Sequence, residues 1–334
     1  MFPAADLAAW RSARRILCVR LDTLGDVLMT TPALRALKDG LPGCQLTLLT
    51  SPAGAAIASL VPEIDAVQVY PAPWMKATPP RRHSRADLRQ VARLRQAGYD
   101  AAVIFTVFSQ NPLPAALLLY LAEIPLRLAY ARENPYQLLT HWLPEHDTPA
   151  ACRHEARRQL DLAAAIGCTA LDERLSLRVP PAARRQAGRL LQQAGLDTAR
   201  PWLAIHPGAS AASRRYPPEM FARLAARLAG DLGFQLLFTG SAAERPLVQQ
   251  IQEQAGVPTF SLAGELSLAA LAAVIEQAPL LITNNTGPAH IAAALGVPLV
   301  DLYALTNPQH TPWMVPHRVL SHDVPCKRCD SRIC

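Results

Sequence analysis

Short runs of Val, Ile, Leu and Phe alternate along this chain with segments of helical periodicity, and that alternation leaves little choice of fold. A short continuous apolar run reads as a strand buried on both faces. Strands separated by helices must be parallel, because a crossover of helical length returns the chain to the same end of a sheet. Strands are expected at Ile16–Leu21, Leu46–Thr50, Val67–Tyr70 and Ala101–Thr106, with helices at Val27–Lys38, Ala86–Gln96 and Glu155–Ile166. The pattern then restarts with a helix at Ala182–Ala194. Strands follow at Leu203–His206, Gln235–Thr239, Thr259–Leu262, Leu280–Thr283 and Leu299–Leu302. Helices at Pro218–Leu228, Glu244–Gln254, Leu268–Gln277 and Pro288–Leu295 separate them. The fold class is α/β with two doubly wound halves, 1–180 and 181–334, meeting where a strand-like LSLRV runs into Pro180-Pro181. A length of 334 residues suits two domains at roughly 100–200 residues each.

Composition narrows the function classes. Lys and Arg number 33 against 26 Asp and Glu, a formal charge of +7, and only Lys38, Lys76 and Lys327 are lysines. That excess points to an anionic partner. The amino terminus has no basic-then-apolar signal pattern, and no apolar run approaches the roughly 18–20 residues that span a bilayer. A cytoplasmic protein is expected. Basic residues have little aromatic interleaving and no nucleic-acid motif occurs, so no nucleic-acid partner is expected.

In open α/β sheets, ligands sit beyond the carboxyl ends of the strands, so the strand-to-helix junctions carry the chemistry. The first, RLDTLGDVLMTTPALRALK, places Asp26 at a helix start, where it is either an ordinary cap or a carboxylate able to take a proton from a hydroxyl. Asp22 is a second carboxylate for that role. The next junction, HPGASAASRRYPPEMF, combines Gly208, the hydroxyls of Ser210 and Ser213, and the guanidinium forks of Arg214 and Arg215 before a helix opened by proline. It reads as an anion site or an exposed basic loop. In TNNTGPAHIAAALG, Asn285, Thr286 and Gly287 turn directly into a helix whose free amides suit a phosphate, with His290 one turn in. In FTGSAAERP, Glu244 follows a strand and either binds ribose hydroxyls or caps its helix. No Walker or Gly-x-Gly-x-x-Gly loop is present.

These four junctions, in this order from about Arg15 to Trp313, resemble glycosyltransferase family 9, the ADP-heptose:lipopolysaccharide heptosyltransferases. HEARRQLDLAAAIG and GELSLAALAAVIEQA fit the same family pattern. The resemblance implies a GT-B architecture: two Rossmann-like domains facing across a cleft, acceptor on the N-terminal side and ADP-sugar on the C-terminal side. It implies an inverting transfer without an active-site metal or other cofactor, to a lipid A–core or similar glycan acceptor at the cytoplasmic face of the inner membrane. By the same resemblance Asp26 matches the general base, and Arg214 matches a Lys that meets the donor diphosphate. Glu244 matches the ribose-binding Glu, while Thr286, Gly287 and His290 match the diphosphate-binding turn; Ser210 and Asn285 complete the donor set. Asn285 stands where the family usually has Asp, Arg214 where it has Lys, and Tyr216 where it often has Trp. GT-B proteins also usually close with a C-terminal helix, so a chain cut short at Cys334 is expected. Two rivals remain open: a GT-B sugar epimerase, and a nucleotide-sugar-binding protein without transferase activity.

Two segments lie outside this set. The basic stretch Arg81–Arg95, after a Pro-rich loop, offers Arg81, Arg82 and Arg85 to acidic groups of an acceptor or forms a solvated helix face. In the tail HDVPCKRCDSRIC, Cys326, Cys329 and Cys334 with His322 have spacing compatible with zinc, or are reduced thiols.

Overall fold

A computed structural model describes residues 2–148, 151–303 and 308–323. Their contacts divide into two compact units, one ending at Ser176 and the next beginning at Leu177.

The first unit runs α1 (Ala4–Ser12), β1 (Arg15–Arg20), α2 (Leu24–Gly40), β2 (Gln45–Thr50), α3 (Pro52–Ala58), β3 (Ala66–Val69), α4 (Arg85–Ala97), β4 (Ala101–Ile104), α5 (Leu113–Leu121), β5 (Leu126–Ala131), β6 (His141–Pro144) and α6 (Glu155–Ala164). Its sheet has the order β3-β2-β1-β4-β5-β6, every pair parallel. Arg15, at the start of β1, is exposed, while Ile16 to Arg20 are buried; β4 is buried throughout, as strands covered by helices on both faces must be. α4 and α5 pack on one face through Leu94, Ala115, Leu118 and Leu119, against Leu17, Val19, Ala102 and Ile104 of the sheet.

The second unit runs α7 (Pro181–Gln193), β7 (Trp202–His206), α8 (Pro218–Ala226), β8 (Gln235–Phe238), α9 (Arg245–Ala255), β9 (Phe260–Ser261), α10 (Leu268–Gln277), β10 (Leu281–Asn284), α11 (Gly287–Leu295), β11 (Leu299–Leu302) and β12 (His317–Leu320). Its parallel sheet is ordered β12-β11-β10-β7-β8-β9. Counted from its own first strand, this is the same 3-2-1-4-5-6 order as in the first unit, the doubly wound order of nucleotide-binding folds. In each parallel sheet the strand order reverses its winding once, between β1 and β4 and between β7 and β10. The crevice outside the carboxyl ends of those strands is where such a fold takes a ligand.

Local chemistry explains the element that bears Asp26. α2 continues through Pro32, which has no N–H to give the carbonyl of Leu28; the Thr31 hydroxyl donates to that carbonyl instead (2.7 Å). The helix is thereby kept whole, and eleven of its residues, including Val27, Leu28 and Leu34, are buried.

Beyond two helices outside the expected set, α1 and α3, the structure departs from the sequence reading in four places. LSLRV is not a strand: the Ser176 amide donates to Thr31 Oγ1 (2.9 Å) and its hydroxyl to Glu63, so the segment is bonded to the first unit by side chains instead of by a ladder. β5, six residues that begin directly after Pro125, and β6, four residues, are additional strands. β12 is an edge strand whose apolar content is too low to stand out. The apolar run at 113–121 is a helix, α5, that leaves Leu117, Tyr120 and Leu121 exposed and so lacks the one-sided pattern that marks a surface helix.

Candidate functional site

At the switch point of the first unit, β1 ends in Arg20, whose side chain is completely buried. Its guanidinium faces three carboxylates: Asp22 Oδ2 at 3.1 Å, Asp26 Oδ1 at 3.2 Å and Glu155 Oε1 at 2.8 Å. Burial by itself would disfavour the charge on Arg20, but Asp22, Glu155 and Asp26 together raise its pKa above the ordinary arginine value, so it stays a cation. Glu155 is the first residue of α6 and is fully buried; its Oε1 also accepts from Gln159 Nε2 (2.6 Å).

Asp26 is held from both sides. Its Oδ2 accepts from the backbone N–H (3.0 Å) and hydroxyl (2.7 Å) of Thr23, the helix N-cap, while Arg20 donates to Oδ1. The capping reading of Asp26 is therefore met, and the same bonds aim the carboxylate. Its side chain is 16% exposed, against 9% for Asp22 and 0% for Glu155, so within this cluster Asp26 is the member that most reaches solvent. Burial pushes the Asp22 carboxyl up to about 6, against the pull of Arg20. Asp22 Oδ1 accepts from Gln110 Nε2 (2.5 Å), which ties the loop after β4 to the loop after β1 across the switch point.

Beside this cluster lies a cavity of about 40 Å³ lined by Gln110, Asn111, Tyr130, Arg132, Glu133 and Glu145. Its wall is braced by Arg158, which bonds Glu145 and the carbonyl of Thr106, and by Gln159, which donates to that carbonyl at 2.9 Å. Arg81 is engaged with Asp87 Oδ1 (3.0 Å), which also accepts from Tyr70 (2.8 Å); Arg82 and Arg85 are exposed.

At the switch point of the second unit, the loops after β7 and β10 are stitched together by Asn284. Its Nδ2 donates to the carbonyl of Pro207 (2.7 Å), and its Oδ1 accepts the amide of Tyr216 (3.0 Å). Ser210, Arg214, Asn285, Thr286 and Gly287 all lie on the segments so joined. Ser210 is exposed and Arg214 half-buried on a short 3-10 turn, Ala212–Arg214; the neighbouring Arg215 Nε caps the carbonyl of Ala209 (2.8 Å). Asn285 is 4% exposed. α11 starts at Gly287, and Pro288 is its next residue, so this helix end carries an amide-lined start with the positive end of the dipole. His290 is buried at 6% exposure on that helix.

Glu244 meets its capping reading. Its Oε2 accepts from the amide (2.8 Å) and hydroxyl (2.8 Å) of Ser241 in a capping box. Burial would raise its pKa, but these bonds, with His206 and Arg215, hold it below the usual carboxylate value. A Cβ on Gly208 would sit 1.9 Å from Glu244 Oε1, so the glycine of His-Pro-Gly is where this carboxylate closes on the backbone. His206, buried on β7, hydrogen-bonds through Nδ1 with Thr239 Oγ1 (3.1 Å), and burial lowers its pKa.

Arg20, Glu155, Gln110 and Asn284 were not singled out as site residues from the sequence. Arg20 stands two residues before Asp22 and six before Asp26, a charge spacing visible in the sequence; the others lie on distant elements and gave no signal. Among the described residues no group of three or more His, Cys, Asp or Glu is placed to hold a metal. Cys326, Cys329 and Cys334 lie outside the described residues.

The family model for glycosyltransferase family 9 (heptosyltransferase) matches residues 88–334. The chain is 28% identical over 327 residues to lipopolysaccharide heptosyltransferase 1 of Pseudomonas aeruginosa, covering 96% of this chain and 87% of that protein. Among solved structures, a family 9 glycosyl transferase from Veillonella parvula superposes with a TM-score of 0.77 at 24% identity, covering 92% of this chain and 86% of that one. The ADP-heptose LPS heptosyltransferase II of Escherichia coli superposes with a TM-score of 0.72 at 24% identity, covering 93% and 92%. These likenesses establish the GT-B class of fold for the pair of Rossmann-like units.

Proposed function

The chain belongs to glycosyltransferase family 9 and is a glycosyltransferase; from that premise we propose that it moves a heptose, or a related sugar, from an ADP-sugar to a lipopolysaccharide core-type acceptor. The first unit handles the acceptor and the second the donor. The observation that carries this reading is Asp26: a carboxylate at the switch point of its sheet, aimed by Thr23 and Arg20, with its side chain partly open to solvent.

The reaction is a single displacement at the anomeric carbon. Asp26 takes the proton of an acceptor hydroxyl as that oxygen bonds to the anomeric carbon. The bond from that carbon to the ADP oxygen breaks on the opposite side, the electron pair leaves on the diphosphate, and the anomeric configuration inverts. Arg214 and the amides at the start of α11, with the helix dipole, stabilise the negative charge that develops on the diphosphate, and no divalent ion is required. Ser210, Asn285, Thr286 and His290 line the donor pocket, and Glu244 accepts from the ribose hydroxyls through the oxygen not used by Ser241. The preformed bonds on Asp26 and Asn284 matter because groups already oriented need not reorganise in the transition state. The acceptor class places the reaction at the cytoplasmic face of the inner membrane.

The test is Asp26→Ala and Asp26→Asn, assayed for sugar transfer from ADP-heptose and, separately, for ADP binding by calorimetry. Loss of a general base lowers turnover by about 10²–10⁴-fold, with ADP affinity unchanged because the donor residues lie in the other unit. Turnover near wild type in either variant refutes the assignment of Asp26.

A further inference from the structure

The charge of this protein is concentrated in one place. Residues 71–98 hold seven basic side chains and a single acid, Asp87, a net +6 within a chain of formal charge +7. Asp87 is already engaged by Arg81 and Tyr70. Along α4 the exposed positions Arg85, Leu88, Arg89, Ala92, Arg93 and Gln96 recur at helical spacing, so the outward face is cationic with one aliphatic side chain, Leu88, at 61% exposure.

α5 lies beside α4 on the same face of the sheet, and both bury their inner sides in the same apolar cluster. Their outer sides therefore face the same way. Arg95 joins the two helices by donating to the carbonyl of Leu121 (2.7 Å), and pairs with Glu123 at 3.1 Å. The outer side of α5 is an apolar ridge: Leu117 is 46% exposed, and Tyr120 and Leu121 are each 43% exposed, at the i, i+3, i+4 spacing of one helix face. The guanidinium of Arg127 lies 5.6 Å from the Tyr120 ring centroid. An aliphatic and tyrosine ridge beside a field of arginines matches the two layers of an anionic bilayer surface: acyl boundary for the ridge, phosphate headgroups for the guanidiniums.

We infer that the outer faces of α4 and α5 form a docking surface for an anionic lipid bilayer. Charge complementarity selects this occupant. A second copy of the chain would bring arginines against arginines. A nucleic acid would satisfy the guanidiniums but leave the leucines without a partner. The ridge is short, so the contact is interfacial; no helix of the described residues is long and apolar enough to cross a membrane. The inference deepens the proposed function, and rests on it only for the reason to dock: an acceptor anchored in lipid.

The test is sedimentation of the full chain with sucrose-loaded vesicles of phosphatidylcholine alone, or of phosphatidylcholine with phosphatidylglycerol. Binding is expected to the anionic vesicles and to weaken as salt is raised. Arg89→Gln with Arg93→Gln should lower the partition coefficient on the order of tenfold. Leu117→Ser with Leu121→Ser should lower it about tenfold as well, with the thermal melt and far-ultraviolet circular dichroism unchanged. If the serine pair perturbs the fold, Leu88→Ser, at a solvent-facing site, reads the same apolar contribution alone. Equal binding to both vesicle types, or no binding to either, overturns the inference. Self-association on a sizing column that the serine variant abolishes would overturn it in favour of a second copy. Arginine-dependent retention on RNA without vesicle binding would overturn it in favour of nucleic acid. Vesicle binding requires no catalysis, so a chain that docks but transfers no sugar refutes the function alone. A chain that transfers to a detergent-dispersed acceptor but ignores vesicles refutes the docking alone.

Discussion

Replacing Arg20 by methionine removes the cation that faces Asp22, Asp26 and Glu155 in the first unit. The consequences differ for each partner. Asp26 keeps both bonds from Thr23, and Asp22 keeps Gln110, but Glu155 is left fully buried with Gln159 as its remaining donor. Breaking a buried ion pair by removing one partner costs about 3–5 kcal/mol. For a unit of this size each kcal/mol moves the melting midpoint by about 2–4 °C, so a fall of roughly 6–20 °C is expected. The deficit should depend on pH with a definite sign. Burial already raises the Asp22 pKa from 3.8 to about 6, so its contribution to stability is fully present below the unfolded value and is lost as pH rises through 6. Without Arg20 the pKa rises further, and the deficit of the variant widens between about pH 5 and about pH 8. Urea unfolding followed by circular dichroism at both pH values measures it. The double variant Arg20→Met with Glu155→Leu should recover much of the loss, because an apolar pair in place of a buried ion pair is often neutral or better. Sugar transfer should stay low in the double variant, since Asp26 has lost the donor on Oδ1. An Arg20→Met variant within about 1 kcal/mol of wild type at the higher pH, or a double variant as unstable as the sum of its parts, would refute this account of the cluster.

Two further outcomes follow from the second unit. Asp301 on β11 is fully buried, neither carboxylate oxygen has a hydrogen-bond partner among the described residues, and burial raises its pKa from 3.8 to about 7. The fold accepts the neutral acid, so this group supports stability at low pH and costs stability as pH rises towards 7; unfolding midpoints of Asp301→Asn against wild type should diverge in favour of the variant by up to about 4 kcal/mol between about pH 4 and about pH 8, and parallel curves would contradict it. Gly208→Ala drives a methyl group into the Glu244 carboxylate, 1.9 Å from Oε1, and should weaken ADP binding by about 10–100-fold, as Glu244→Ala should too, with little change in melting; calorimetric affinity equal to wild type for both variants would show that Glu244 does not meet the donor.

What could be read without coordinates was what neighbouring residues decide between themselves. The parallel α/β class followed from apolar runs alternating with helical periods, because strand and helix periodicities are local properties of the chain. The four junctions were legible for the same reason: Thr23 with Asp26 and Ser241 with Glu244 are capping pairs three residues apart, and Gly287-Pro288 opens a helix by its own stereochemistry. Which junctions are neighbours was not legible. The sheet orders that set the loop after β1 beside the loop after β4, and the loop after β7 beside the loop after β10, are settled by packing of helices on two faces, to which no short segment testifies. Arg20 and Glu155 are 135 residues apart, and Asn284 and Pro207 are 77 apart; each pair is made by burial and hydrogen bonding between elements. The ridge on α5 is the converse case. In the sequence LPAALLLYL looks like interior, and only the tertiary structure decides that Leu117, Tyr120 and Leu121 remain outside, because a helix packed by one side on a sheet has another side that nothing in its own residues can cover.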